Sequence, residues 1–422
     1  MPLQAYHRME RLALAIAIAA LLGAGCVTPI GVDSQNGEGP LQIIELQRGK
    51  QSAPVESILQ VETWQGPHTS LSGSVGVRLE SGGFVLAGFG FGGKISQGSH
   101  VLDVEEGSAL IWLDSKLQLQ NAIAWPYHIM EVVARGDSVI VASREIPLDG
   151  AGPEKLHVSS IASDGVVEWQ SSGESDFGNV VRGLDADGRR VAVWWSASTG
   201  EIRWTGSEGS FQKNVIIHLI DDRLAWAVES SGYSLGSSPL LVRGGTVEVL
   251  SAHSKLGGGP RDERYSRVTL ENGRVIESLP TALPTSLFEL HGSDVYWSHA
   301  LVFEDSVLQG LETLPANSHA VILADTEQGP VKAFVWPFEN PQSKSSVGSD
   351  FVTSDGAGGA FFIDCHNSRL CDVFHILGDG SYRHVGFTSD QELGGSVVGI
   401  LGDGPSLAVM RTQAGYDVVR FD

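Results

Sequence analysis

The sequence predicts an all-β fold of repeated four-stranded antiparallel units, a seven-bladed β-propeller, and three observations carry that prediction. The 422 residues include 52 Gly, with 18% charged and 8% aromatic residues, the composition of a chain that turns back often instead of running in long helices. A hairpin whose tight turn opens on Asp or Asn recurs at Asp114, Asp164, Asp221, Asn272, Asp325 and Asp379, at intervals of 50, 57, 51, 53 and 54 residues. A second hairpin alternates with it, its returning strands beginning near Phe84, Val139, Val191, Thr246, Val295, Phe361 and Leu407.

The first family includes VSSIASDGVVEW, TLENGRVIESL and FHILGDGSYRHVGF, in which Asp-Gly and Asn-Gly favour turns matched to hairpin twist. The second includes VRLESGGFVLAG, EVVARGDSVIVAS, LFELHGSDVYWS and VGILGDGPSLAVM. Its strands are apolar on both faces, as strands packed between neighbouring sheets must be. Two alternating hairpins make a four-stranded blade, and blades repeating about every fifty residues bury their faces against one another around a channel. Seven inner hairpins give seven blades. The seventh outer hairpin begins with YDVVRF and stops at Asp422, where its turn would fall. The missing strand is expected from Leu41–Gln47 or Val55–Trp64, so that an N-terminal strand closes the ring of a propeller domain spanning 41–422.

Ahead of that domain, Arg8 and Arg11 precede an apolar run from Leu12 to Leu22, too short to span a membrane and suited to a signal peptide. The string LLGAGC resembles a bacterial lipoprotein signal, although Gly23 stands where that pattern prefers Leu. The resemblance implies removal of residues 1–25, a lipid on the Cys26 thiol, and, with no Asp following, the outer membrane or cell surface. An ordinary signal peptide cut nearby is the alternative; export follows from either. Residues 26–40, with DSQNGEGP, read as the lipidated cysteine and a flexible tether.

The strings ASDGVVEW and ASTGEIRW, which pair Gly165 with Trp169 and Gly200 with Trp204, resemble the outer turns of quinoprotein-type propeller repeats. VLAGFGFGGKISQG is similar to repeats of bacterial surface lipoproteins. These likenesses span about residues 74–422 and imply architecture, not activity.

The net charge of −22 repels a phosphate backbone, which argues against nucleic acid as a partner. In the mature chain Cys365 and Cys371 are the only cysteines left, and an oxidising compartment favours a bridge between them. The alternative, a zinc site completed by His366 and His375, conflicts with the five residues between the cysteines and with the strand alternation that turns His366 away from Cys365. GFGFGGK (Gly88–Lys94) approximates a phosphate-binding loop, but Ile95 replaces its Ser or Thr and no helix follows. Asp-Gly pairs at Asp164, Asp355, Asp379 and Asp403 read as turn chemistry rather than paired catalytic acids. No HExxH helix or EF-hand loop occurs.

No catalytic residue, metal or cofactor is therefore expected from the sequence. His128, His291 and His299 lie at the ends of inner-strand segments, where a channel could gather them. Trp194, Trp195, Trp226 and Trp297 are expected in the core, with sugar or peptide stacking as the other use of such rings. The expectation is a non-catalytic binding or assembly module at the bacterial envelope, its lipid in the membrane and a protein or glycan ligand on the propeller face. The alternative is a propeller hydrolase or lyase acting on glycans or peptides. Three or more carboxylates or histidines with shifted pKa values at one mouth of the channel would favour the enzyme; apolar and small polar residues would favour binding.

Overall fold

The computed structural model describes residues 41–421 apart from short stretches, the longest being 63–75, 231–239, 252–263 and 338–350. The signal, Cys26 and the tether lie outside the described residues. Two strands come first, β1 (Gln42–Glu45) and β2 (Glu56–Glu62). There follow β3 (Gly76–Arg78), β4 (Phe84–Phe89), the hairpin β5 (Gly93–Gln97) and β6 (His100–Val104), β7 (Ser108–Leu113) and β8 (Leu119–Trp125). Next come β9 (His128–Arg135), β10 (Ser138–Glu145), β11 (Glu154–Ile161), β12 (Val167–Asp187), β13 (Arg190–Trp204), β14 (Phe211–Ile220) and β15 (Arg223–Glu229). The third stretch holds β16 (Leu240–Arg243), β17 (Thr246–Ser251), β18 (Arg264–Glu271), β19 (Arg274–Pro284), β20 (Val295–Val302), β21 (Ser306–Val307), β22 (Thr313–Leu314), β23 (Ser318–Asp325) and β24 (Gly329–Pro337). The last holds β25 (Phe351–Ser354), β26 (Ala360–Asn367), β27 (Leu370–Ile376), β28 (Tyr382–Thr388), β29 (Leu393–Leu401), β30 (Ser406–Thr412) and β31 (Gly415–Phe421).

The fold is all-β, and four-stranded antiparallel sheets are its unit. Three stand alone, in the orders β3-β4-β7-β8, β16-β17-β18-β19 and β25-β26-β27-β28. A fourth runs β1-β24-β23-β20, with β1 added parallel to the outer edge of β24. β9 to β15 form one seven-stranded sheet, because β12 continues for 21 residues where a break was expected. The join is a register shift between Ser175 and Phe177, followed by Gly178 at φ 74°. The sixth sheet runs β29-β30-β31-β2-β5-β6. In it β2 pairs antiparallel with β31, Gln60 opposite Asp417 and Val61 opposite Tyr416, so the second of the two candidate N-terminal strands partners the terminal hairpin.

The predicted outer turns all join consecutive strands; Asx geometry makes those at Asp114, Asp164, Asp325 and Asp379, while Asp221 and Asn272 turn the chain at φ 53° and 49°. Asp114 Oδ1 accepts from the N–H groups of Lys116 and Gln118 at 2.8 Å, Asp164 Oδ1 from Val166 at 3.0 Å, and Asp379 Oδ1 from Ser381 at 2.8 Å. The following Gly165 and Gly380 sit at φ 86°, where a Cβ would be strained. ASTGEIRW departs from its resemblance. Gly200 lies inside β13 at a break in register between Ser196 and Glu201, and the strand runs on to pair Trp204 with Gly173. Trp204 is buried there, donating to Ser171 Oγ at 3.2 Å and meeting Trp195 edge-on at 5.9 Å.

Core formation follows from strands covered on both faces. Along β10, Val139 and Val141 enter one cluster with Val85 and Leu110, while Ile140 and Ala142 enter another with Val193 and Ile217. The sheet is thus packed between its neighbours, and each such side chain contributes about 1.5–3 kcal/mol. Trp194, Trp195 and Trp297 are buried as expected, whereas Trp226 is half-buried and stacks on His218 at 5.0 Å. Carboxylates tie successive inner turns together: Asp137 Oδ1 accepts from Ser81 N at 3.0 Å, Asp185 Oδ2 from Val242 N at 2.7 Å, and Asp187 Oδ2 from Gly244 N at 2.8 Å.

His218 is buried, and burial together with Arg190 holds its pKa at about 4; burial and Arg144 do the same for His128. Below an unfolded value of about 6.5 the unfolded chain binds protons that the folded rings refuse, so stability is full above that pH and is lost as pH falls toward 4. At about 1.4 kcal/mol per pH unit, discounted for the solvent each ring still meets, the loss is about 2 kcal/mol per histidine. Urea unfolding at pH 7 and pH 5 reads it; a His218→Leu variant with an undiminished drop between the two would contradict the assignment.

Candidate functional site

Two hollows lie at opposite ends of β9 and β10. The first, of about 870 Å³, is walled by three successive inner turns: Arg78 to Glu80, Ala134 to Gly136, and Ala186 to Arg189, with Asp221 beside them. Each turn brings an arginine to the hollow: Arg78 and Arg135 end β3 and β9, and Arg189 lies in the turn between β12 and β13. Arg189 and Arg135 are each paired with a carboxylate. Arg189 donates Nε–H to Asp221 Oδ2 at 2.8 Å and also bonds it through Nη2, and this holds the Asp221 carboxyl below the usual range and the guanidinium above its own. Arg135 Nη2 binds Glu168 Oε2 at 2.5 Å and Ser160 Oγ at 2.7 Å, with its guanidinium 5.8 Å from the Trp169 ring centroid. The lining is neither a cluster of carboxylates poised for chemistry nor an apolar mouth; it is a fixed surface of opposed charges.

The second hollow, of about 780 Å³, is lined by Pro126, Tyr127, His128, Arg144, Glu145, Ile146 and Pro147. Tyr127 stacks on His157 at 4.1 Å and 11°. His157 Nε2 meets Glu145 Oε2 at 2.9 Å, and that hydrogen bond keeps Glu145 ionised below the usual carboxylate range. Ser143 lies opposite His157 in the β10–β11 register, so a serine, an imidazole and a carboxylate share one face. Yet Ser143 is fully buried, and neither its hydroxyl nor His157 Nδ1 has a hydrogen-bond partner, so the two do not bond each other. A nucleophile needs both that bond and access.

Away from both hollows, Asp364 and Asp372 face each other across β26 and β27, buried to 0% and 2% exposure. Asp364 Oδ2 accepts from Trp336 Nε1 at 2.7 Å and Oδ1 lies 3.9 Å from His319 Nε2. Asp372 Oδ1 meets His384 Nε2 at 2.5 Å, and His319 Nδ1 lies 3.1 Å from His299 Nε2. One rung further along, the backbone sets Cys365 opposite Cys371. His375 stacks on Phe361 at 4.3 Å, four residues along β27 from Cys371. At about 3.3 Å per residue that spacing sets the backbone of His375 about 13 Å from that of Cys371, too far for the two to share a zinc ion. Among the described residues no group of three potential ligands is placed to hold a metal.

Of the three histidines the sequence singled out, His128 lines the second hollow, His299 is in the buried network, and His291 lies outside the described residues, as do Asp355 and Asp403. Gly93 and Lys94 open β5, a strand and not a phosphate-binding helix. The turn arginines and the Asp364 network escaped sequence reading. The former were visible as an arginine in each of VRLESGG, ARGDS and DADGRR, the inner turns of three successive repeats; the latter depends on register between distant strands.

No protein-family model and no curated protein matches the chain. BamB from Moraxella catarrhalis is similar over 83% of this chain and 85% of its own, at 12% identity and a TM-score of 0.37. Sqt1 from Saccharomyces cerevisiae is similar over 87% and 99%, at 10% identity and a TM-score of 0.42. A protein of unknown function from Bacteroides caccae is similar over 72% and 93%, at 10% identity and a TM-score of 0.37. Similarity of this degree defines neither a family nor an activity.

Proposed function

We propose that the chain is an exported lipoprotein, acylated at Cys26, whose seven-bladed propeller is closed by β2 and serves as a non-catalytic docking or assembly module at the cell envelope. The blade count is supported by dividing β12 between two units, taking β20, β23 and β24 as three strands of another, and completing β29, β30 and β31 with β2. The observation that carries the docking reading is the first hollow, where three successive turns bring charges of both signs together, Arg135 and Arg189 each paired with a carboxylate. Such a surface selects a protein partner by charge pattern rather than attracting ions of one sign.

Intact mass of the membrane fraction tests the anchor: a mature chain that starts elsewhere than Cys26, or carries no lipid there, sinks it. A photo-crosslinker at Glu80 should trap one defined partner in cells, and Arg189→Glu should abolish that adduct. A purified chain that instead turns over glycans or peptides, and loses turnover on substitution of Asp187 or Glu80, would replace docking with catalysis.

The register at Cys365 and Cys371 supports a bridge between them, since paired residues on adjacent antiparallel strands have Cα atoms within about 5.5 Å, inside the reach of a disulfide. It closes a short loop and contributes about 2 kcal/mol. Two alkylatable thiols in non-reducing denaturant would defeat it.

A further inference from the structure

We propose that the second hollow is a separate binding site and that its ligand is a neutral saccharide. It rests on the reading of the chain as a binding module, but at the other end of β9 and β10 from the turn arginines, about 24 Å along the strands at about 3.4 Å per residue. The floor is apolar and aromatic, from Pro126, Tyr127, Ile146 and Pro147, with His128, Arg144 and Glu145 as its polar groups. A volume of about 780 Å³ accommodates a small sugar, and an apolar surface with a few convergent polar groups is the composition that orients one.

Charge pairing decides the ligand class. Glu145 already takes His157 at 2.9 Å and Lys155 Nζ at 3.5 Å. Arg144 Nη1 lies 3.9 Å from the buried carboxylate of Glu154, and its Nη2 lies 3.4 Å from His128 Nδ1. His128 is neutral at physiological pH, because burial and Arg144 hold its pKa at about 4. An ionic ligand would have to displace one of these pairs to be neutralised, and its desolvation would go uncompensated. A hydroxyl donates and accepts at once, so it can give to the Glu145 carboxylate and receive from the Arg144 guanidinium while both keep their partners. Tyr127 is a prepared platform for the C–H face of a sugar ring, held by its stack on His157 and by Trp125 edge-on at 6.1 Å. A rigid aromatic anchor loses little conformational freedom on binding.

Saturation-transfer NMR and calorimetry on the mature chain decide the matter with cellobiose, maltose and N,N′-diacetylchitobiose as neutral probes, and with glucuronate and diglycine as charged ones. At least one neutral disaccharide should bind saturably in the millimolar range, and glucuronate and diglycine should not. Affinity should fall at least tenfold in Tyr127→Ala and in Glu145→Gln, and stay unchanged in Arg135→Ala at the other hollow. Glu145→Gln preserves side-chain volume, so it answers the question if Tyr127→Ala fails to fold. Binding of glucuronate or diglycine alone, no neutral binding by the folded chain, or neutral binding indifferent to Glu145→Gln would each overturn the proposal. None of those results touches the docking reading, whose crosslink is at Glu80.

Discussion

Removing residues 41–64 from the mature chain lowers its unfolding free energy by at least about 6 kcal/mol, while removing 27–40 leaves it unchanged. The first deletion takes away Leu41, Leu46, Leu59 and Val61, each between 1% and 3% exposed. At about 1.5–3 kcal/mol per buried aliphatic side chain the packing loss alone reaches that figure. Backbone pairing adds to it. β2 sits between β31 and β5, so its loss opens two sheet edges at once, and long open edges invite aggregation. Side chains reinforce the join, with Ser57 Oγ donating to Asp417 Oδ1 at 2.7 Å and Gln97 Nε2 donating to the Ile58 carbonyl at 3.2 Å. β1 is tied in as well, for Gln47 N donates to the Tyr382 hydroxyl at 3.2 Å. Residues 27–40 carry no periodic apolar pattern to bury. Urea denaturation of the two truncations against the mature chain reads the difference, and coincident midpoints would end the idea that N-terminal strands complete the fold.

The strand pairing behind that prediction is legible in outline in the sequence. YDVVRF lacked a partner among the predicted hairpins, and two strand-like segments, Leu41–Gln47 and Val55–Trp64, were otherwise unpaired. Local signals, the Asp-Gly and Asn-Gly turns and the alternation of hairpin families, placed the six outer turns and put the returning inner strands within a residue of where β4, β10, β13, β17, β20, β26 and β30 begin. Which N-terminal segment pairs with β31, and that β1 runs parallel to β24, was not legible, because neither turn chemistry nor periodicity encodes a register between residues hundreds of positions apart. ASTGEIRW misled for a related reason. Its Gly and Trp have the spacing of a turn, but tertiary pairing with β12 carries the strand through the glycine as a break in register. The candidate sites were least visible. Arg144, Glu145 and His157 gain meaning only when β10 and β11 align, and Asp364 and Asp372 read as ordinary strand acids until the sheet sets them face to face.

Replacing Asp364 by Ala should cost about 3–5 kcal/mol, the range for removing one partner from a buried charged network. The carboxylate is fully buried, accepts from Trp336 Nε1 at 2.7 Å, and stands across the rung from Asp372, which is held by His384. Alanine takes away the acceptor of the Trp336 indole N–H at a buried position and adds a small cavity between two sheets. Asn is the informative contrast. Its carbonyl can still accept from Trp336, so the penalty should drop to about 1–2 kcal/mol. Trp336→Phe removes the donor but keeps most of the ring, and should cost about 2 kcal/mol by stranding a carboxylate oxygen. A double-mutant cycle between Asp364→Ala and Trp336→Phe, measured by urea unfolding at pH 7, should show coupling of about 1–3 kcal/mol, because each change removes the same bond. Strict additivity would mean that the two side chains stabilise the sheets independently. A cost below about 1 kcal/mol for Asp364→Ala would mean that this buried acid is dispensable to the packing around it, against what its burial and its partners require.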